Sequence, residues 1–246
     1  FDSGIGGLTV VSEMLSQLPL EGIIYVGDTA RVPYGPKSPD TVRRYAREIA
    51  FYLAGQHVKA IVIACNTATA HALDMLRAEL SVPVVGVVQP GARAAAAATI
   101  SGRIGVIGTT GTVRSGAYER AIRSLRADAT VVSLACPLFV PLVEEGWTDH
   151  AAARLIATEY LRPLLDVGID TLVMGCTHYP LLKPLLADTL GPSVRLIDSA
   201  QETAAEVGRV LRGANLDATS AENPVRRFLA TDDPDQMLRL GQRFLG

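Results

Sequence analysis

Lys59-Ala-Ile-Val-Ile-Ala-Cys65-Asn66-Thr67 and Asp170-Thr-Leu-Val-Met-Gly-Cys176-Thr177-His178 decide the reading of this chain. Each is a short, β-branched-rich apolar run that stops at a cysteine and leads into a helix-like pattern. Runs of that length and composition read as buried strands of a parallel sheet. Each thiol then sits at a strand's carboxyl end, where open α/β sheets collect their ligands. Matched thiols in matched places suggest one site with two similar acid/base groups facing each other, an arrangement suited to a reaction that must run in mirror image.

Outward from these segments, short apolar runs alternate with amphipathic stretches. Strands are expected at Gly22–Val26, Ala60–Ala64, Val84–Val88, Arg103–Ile107, Thr130–Leu134, Thr171–Met174, Val194–Ile197 and Val225–Ala230. Helices between them begin on recognisable devices: Ser38-Pro39 as cap and first helical residue, Ser199-Ala-Gln-Glu202 as a capping box, and Asp233-Pro234 as a second cap-plus-proline. Strands alternating with helices predict an α/β fold built from parallel sheets. The repeated strand–thiol–helix unit predicts two pseudosymmetric lobes, each an open, mostly parallel sheet flanked by helices, with the site between them. Pro90-Gly91 and the alanine-rich run after it mark a crossover, and Asp198-Ser199 a return. The first lobe is expected at 1–90 plus 199–246 and the second at 91–198.

The chain has 246 residues, 48% of them hydrophobic and 20% charged, enough to bury a substantial core. A net charge of -2 gives no electrostatic case for nucleic acid or an anionic membrane surface. The apolar runs are too short to span a bilayer as helices. Three cysteines without a CxxC make no disulfide framework and point to a reducing cytoplasm. No signal peptide is visible. The chain opens at Phe1 on what reads as the end of a strand, so residues before Phe1 are expected.

Four constellations carry chemistry. Asp2-Ser3-Gly4-Ile5-Gly6-Gly7 is a glycine-rich strand-to-helix turn, able to serve as an anion nest or simply as a tight turn. Gly27-Asp28-Thr29 with Pro33-Tyr34-Gly35-Pro36 is a polar loop, by itself most simply a rigid connector. Cys65 and Cys176 each precede a helix, whose free N–H groups and dipole are expected to lower the thiol pKa. Asn66, Thr67 and Thr177 add groups that bind carboxylates, and His178 can assist proton transfer. For either cysteine alone, a small buried hydrophobe is the commoner fate; the repeated context is what favours chemistry. Zinc is disfavoured, because only Cys176-x-His178 offers closely spaced ligands. Cys136 lacks the matched context and is expected to be structural. In Pro141-Leu-Val-Glu144-Glu145-Gly146 a carboxylate pair could reach the site or lie on a solvated helix end.

The ordered set Phe1-Asp-Ser-Gly-Ile-Gly-Gly7, Gly27-Asp-Thr29 with Pro33-Tyr-Gly35, Ala64-Cys-Asn-Thr67 and Gly175-Cys-Thr-His-Tyr-Pro180 resembles the glutamate racemase family over essentially the whole chain. The resemblance implies a cofactor-independent, two-base enzyme interconverting L- and D-glutamate, supplying D-glutamate for peptidoglycan as a cytoplasmic homodimer. It implies Cys65 and Cys176 as the catalytic bases, for D- and L-glutamate respectively. Asp2 would assist Cys65, and His178 with Glu144 would assist Cys176. Asp2, Ser3, Tyr34, Gly35, Asn66, Thr67, Thr177 and His178 would bind substrate. No metal is implied. A pyridoxal cofactor would need a Schiff-base lysine, and Lys37, Lys59 and Lys183 sit in no such pattern. Two rivals stand beside this reading: a related enzyme acting on another small carboxylate such as aspartate, and a two-lobed binding protein for a dicarboxylate without turnover.

Overall fold

The computed structural model describes residues 1–220 and 224–245. Residues 221–223 and 246, part of the segment expected in the first lobe, lie outside the described residues. The strands are β1 (Ile23–Gly27), β2 (Ile61–Ile63), β3 (Val84–Gly86), β4 (Arg103–Gly108), β5 (Thr130–Ala135), β6 (Thr171–Gly175), β7 (Arg195–Asp198) and β8 (Arg226–Ala230). The helices are α1 (Leu8–Gln17), α2 (Pro39–Ala54), α3 (Asn66–Glu79), α4 (Val88–Ala98), α5 (Thr110–Ser115), α6 (Ala117–Leu125), α7 (Phe139–Glu144), α8 (Ala151–Val167), α9 (Lys183–Leu190), α10 (Ser199–Gly213) and α11 (Pro234–Leu245). Each expected strand forms, with ends shifted by a residue or two.

The strands form two parallel sheets. One has the order β5-β4-β6-β7, with Gly108 of β4 in register with Ala135 and Gly175. In the other, β1 pairs with β8 and β2 with β3, all parallel. Phe1 and Asp2 lie between these two pairs. Asp2 exchanges main-chain hydrogen bonds with Val26 and Asp28, and Phe1 does so with Val62 and Ala64. The chain leaves this sheet through β3 and α4 and returns to it through α10 and β8.

Local signals account for the helices. Ser38 accepts the Thr41 N–H and Pro39 opens α2, as expected. Along α2, Val42, Ala46, Ile49 and Leu53 form one buried stripe against Ile61, Ile63 and α3, each large side chain contributing roughly 1.5–3 kcal/mol. The alanine-rich run is α4, and Ala92 and Ala95 are fully buried. Asp233 accepts the Gln236 N–H ahead of Pro234. One device differs: α10 is capped by Asp198, which accepts the Ala200 N–H at 2.9 Å, and Ser199 is already helical. Ser199 instead donates to the Met174 carbonyl, so the strand-end carboxylate outcompetes the hydroxyl for the cap.

A single apolar cluster runs through both lobes. Ile5, Leu8, Val11, Tyr25 and Phe244 from the first sheet's side meet Ile107, Met174 and Tyr179 from the second's. This contact places the glycine-rich turn directly against the residues after β6. A Cβ on Gly6 would lie 2.4 Å from both the Thr177 hydroxyl and His178 Nδ1. Thr9 locks the approach by donating to the Thr177 carbonyl at 3.1 Å. Gly6→Ala is therefore expected to lower stability by about 1–3 kcal/mol, read as a reduced midpoint in urea with an unchanged slope.

Candidate active site

Cys65 follows β2 in extended geometry and caps α3. Its sulfur accepts the Ala68 N–H at 3.4 Å and lies 3.6 Å from the Ser3 hydroxyl. Cys176 follows β6. Both are only 6% exposed, and all three cysteines are free thiols. The expected lowering of their pKa by the helix ends does not occur. Burial pushes the Cys65 thiol up to about 11, the buried Asp2 carboxylate adds to this, and the Ala68 and Ser3 amides only partly offset it. Burial pushes Cys176 up further, with Cys65, Asp2 and Glu144 acting in the same sense. Desolvation disfavours a thiolate more than a few oriented N–H groups favour it. Asp2 is thus close enough to act electrostatically on both sulfurs, and the sulfurs on each other. Cys136 is fully buried in the apolar cluster, with its thiol raised to about 12 by burial, as expected of a structural cysteine.

The glycine-rich turn is organised around Asp2. The Gly4 N–H donates to its carboxylate at 3.0 Å, the Gly7 N–H points at it, and the Thr177 hydroxyl lies 3.5 Å away. The nest therefore holds the chain's own carboxylate. Asp2 is completely buried, and burial raises its pKa against the opposing influence of His178. Across the seam, His178 Nε2 is 3.0 Å from the Glu144 carboxylate at the end of α7. A carboxylate only accepts, so Nε2 carries the proton and Nδ1 is left towards Gly6. The ring stands edge-on to Phe244 at 5.2 Å, and the guanidinium of Arg243 donates to the Glu144 carbonyl.

On the other side of the thiols, Asn66 Oδ1 accepts a 2.7 Å hydrogen bond from the hydroxyl of Tyr118, on α6. Asn66 Nδ2 is buried and unpartnered among the described residues. Thr67 joins Thr109 and Thr112 at 2.8 and 3.1 Å, so hydroxyls from α3 and from the N-terminus of α5 meet between the sheets. The Gly35 carbonyl accepts the Gly111 N–H at 2.8 Å, and a Cβ on Gly35 would lie 2.8 Å from that of Thr109. Tyr34 is buried with its hydroxyl on Asp28, so only its main chain remains to face a ligand. Asp28 also accepts from Arg31 and Thr231, which makes the Gly27–Thr29 segment a rigid connector.

The expected residues thus collect around two seams. Asp2, Ser3, Cys65, Thr177, His178 and Glu144 form one hydrogen-bonded or electrostatically linked group with Cys176. Asn66, Thr67 and Gly35 form another with residues of the second sheet's loops. Thr109, Thr112 and Tyr118 were missing from the sequence reading. The first two were accessible to it: Gly108-Thr-Thr-Gly-Thr112 ends a strand and opens a helix, the same grammar as the cysteine segments. Asn66 Nδ2, the hydroxyl group and the two thiols together can bind a small carboxylate and move protons at it.

Comparison with known proteins agrees. Residues 8–207 match the Asp/Glu/Hydantoin racemase family. The chain is 56% identical to the glutamate racemase of Geobacter metallireducens, over 100% of this chain and 91% of that one. It superimposes on glutamate racemase isoform RacE1 of Bacillus anthracis with a TM-score of 0.96 and 44% identity, covering 100% and 92% of the two chains. The glutamate racemase of Francisella tularensis, solved with D-glutamate, gives 0.93 and 40%, covering 100% and 91%. These likenesses span every element that builds the site, and the chain belongs to the Asp/Glu/Hydantoin racemase family, an isomerase among the glutamate racemases.

Proposed function

We propose that the chain interconverts L- and D-glutamate without a cofactor, with Cys65 and Cys176 acting on opposite faces of the α-carbon. The observation that carries this is the pair of free, buried thiols, each at the carboxyl end of a parallel strand in a different sheet, both within the field of one buried carboxylate. The relative solved with D-glutamate supports the choice of substrate.

In the D-to-L direction the Cys65 thiolate takes the α-proton. The C–H bond breaks, an S–H bond forms, and the electron pair spreads into the α-carboxylate. The Cys176 thiol then gives its proton to the opposite face and is left as thiolate, ready for the reverse turnover. Asn66 Nδ2 and the hydroxyls of Ser3, Thr67 and Thr177, with the main chain of Tyr34 and Gly35, hold the substrate carboxylates and stabilise the charge that develops. Asp2 exchanges a proton with Cys65; His178, polarised by Glu144, does so with Cys176. Burial keeps both thiols neutral at rest. The substrate's ammonium group brings the positive charge that favours a thiolate, so the base forms when there is a proton to remove. The reading divides the lobes at 1–90 plus 199–246 and 91–198, with the reacting carbon between them. The reading extends to a cytoplasmic homodimer that supplies D-glutamate for peptidoglycan and binds neither nucleic acid nor membrane.

Incubation with L-glutamate in deuterated water is expected to bring optical rotation to zero with deuterium at the α-carbon. Aspartate in parallel is expected to exchange far more slowly. Absence of exchange with glutamate would leave a binding protein, and faster exchange with aspartate would reassign the substrate. Cys65→Ser and Cys176→Ser should each lower kcat/KM by about a thousandfold, and Cys136→Ser should remain active. The raised Cys65 pKa makes a second expectation. Its alkylation by iodoacetamide, followed by peptide mass spectrometry, should be slow at pH 8. It should climb about tenfold per pH unit through pH 10; levelling off near the free-thiol pKa of about 8.5 would contradict it.

A further inference from the structure

Tyr118 lies in the second sheet's layer, on α6, yet its hydroxyl reaches an α3 residue that follows a strand of the first sheet. The ring is held in a slot made by two glycines on different elements. A Cβ on Gly91 of α4 would be 3.3 Å from the ring, and one on Gly175, the residue before Cys176, would be 3.0 Å from its other edge. The ring is 2% exposed, so it has no freedom to leave. Its hydroxyl occupies Asn66 Oδ1 at 2.7 Å, which fixes which end of the amide faces inward. The end left over, Nδ2, is buried and has no partner among the described residues. A buried amide donor without a partner is destabilising, a penalty that a ligand acceptor would remove.

We infer that Tyr118 is a positioning residue: it orients the Asn66 amide so that Nδ2 points at the substrate, and ties that donor to the strand end that carries Cys176. The inference rests on the proposed binding of glutamate between the lobes. Through one hydroxyl, the group that binds on the Cys65 side is indexed to the main chain on the Cys176 side. Substrate placement relative to the two sulfurs is then set by the ring slot as well as by Asn66 itself. Tyr118 touches no reacting atom; its effect passes through the amide.

Tyr118→Phe keeps the ring in its slot and removes the hydroxyl alone. Loss of the orienting hydrogen bond is expected to weaken D-glutamate binding about tenfold by calorimetry, with a rise in KM and a fall in kcat together, because the misdirected donor serves both the bound carboxylate and the charge that develops on it. In an Asn66→Ala background the same change should have no further effect on affinity, since the two act as one unit. Full affinity in Tyr118→Phe, or effects of Tyr118→Phe and Asn66→Ala that multiply, overturns the inference. A merely structural role would lower the melting temperature and the fraction of binding-competent protein while leaving the affinity of that fraction unchanged, which also overturns it. Calorimetry needs no turnover. A wild-type chain that binds D-glutamate without racemising it therefore sinks the proposed reaction alone, and the affinity of the variant still judges Tyr118. A wild-type chain that binds no glutamate sinks both.

Discussion

The site depends on one close approach between main chain and side chains: the turn at Gly6 and Gly7 against Thr177 and His178. A side chain on Gly7 would meet Asp2 Cβ at 2.5 Å and the Tyr25 hydroxyl at 2.9 Å, just as one on Gly6 would meet His178. Without side chains there, the strand end carrying Asp2 and the one carrying Cys176 can share a wall. The Tyr25 hydroxyl, donating to the Gly4 carbonyl at 2.6 Å, and the Thr9 hydroxyl hold the turn in this position. The apolar cluster behind it supplies the bulk of the adhesion, and the glycines set how near the polar groups come.

Burial and local electrostatics pull against each other at both sulfurs, and burial prevails. A helix N-terminus contributes on the order of 0.3–1 kcal/mol, whereas removing a charged sulfur from water costs several times more. Asp2 lies under the same constraint, so the charged forms of all three groups are held at a disadvantage by burial. The pair is also unequal: Asp2 acts on both, but Cys65 is favoured as thiolate by the Ala68 amide and Ser3, and Cys176 by the His178 amide, with Glu144 opposing.

Length and composition made the strands legible, because a run such as Ile61–Ile63 between a polar lead-in and a cysteine fits little else. The Ser38-Pro39 start was legible because its chemistry is contained in adjacent residues. Asp198 and Ser199 could each have capped α10; the choice turns on where β7 ends, which the local pattern does not fix. Tyr118 was illegible for a different reason. Its position on α6 reads as an ordinary core residue, and its partner Asn66 comes from an element of the other sheet. The thiol pKa values failed in the sequence reading for the same reason: the dipole is local to Cys65-Asn66-Thr67, whereas desolvation is a property of the whole fold.

The two sides of the interlobe seam are built from different materials. Along one, Ile5, Leu8 and Tyr25 are fused to Ile107, Met174 and Tyr179. Along the other, contact is made by the Thr67, Thr109 and Thr112 hydroxyls and the Gly35–Gly111 hydrogen bond. Parting the first exposes apolar surface at about 25 cal/mol for each Å². Parting the second exchanges hydrogen bonds with water, at a net cost of about 0.5–1.5 kcal/mol apiece. The molecule is built like a book, with a spine and a fore-edge. Of the two, the edge held by the threonines is the cheaper to part, so any opening of the seam would begin there and swing about the apolar side.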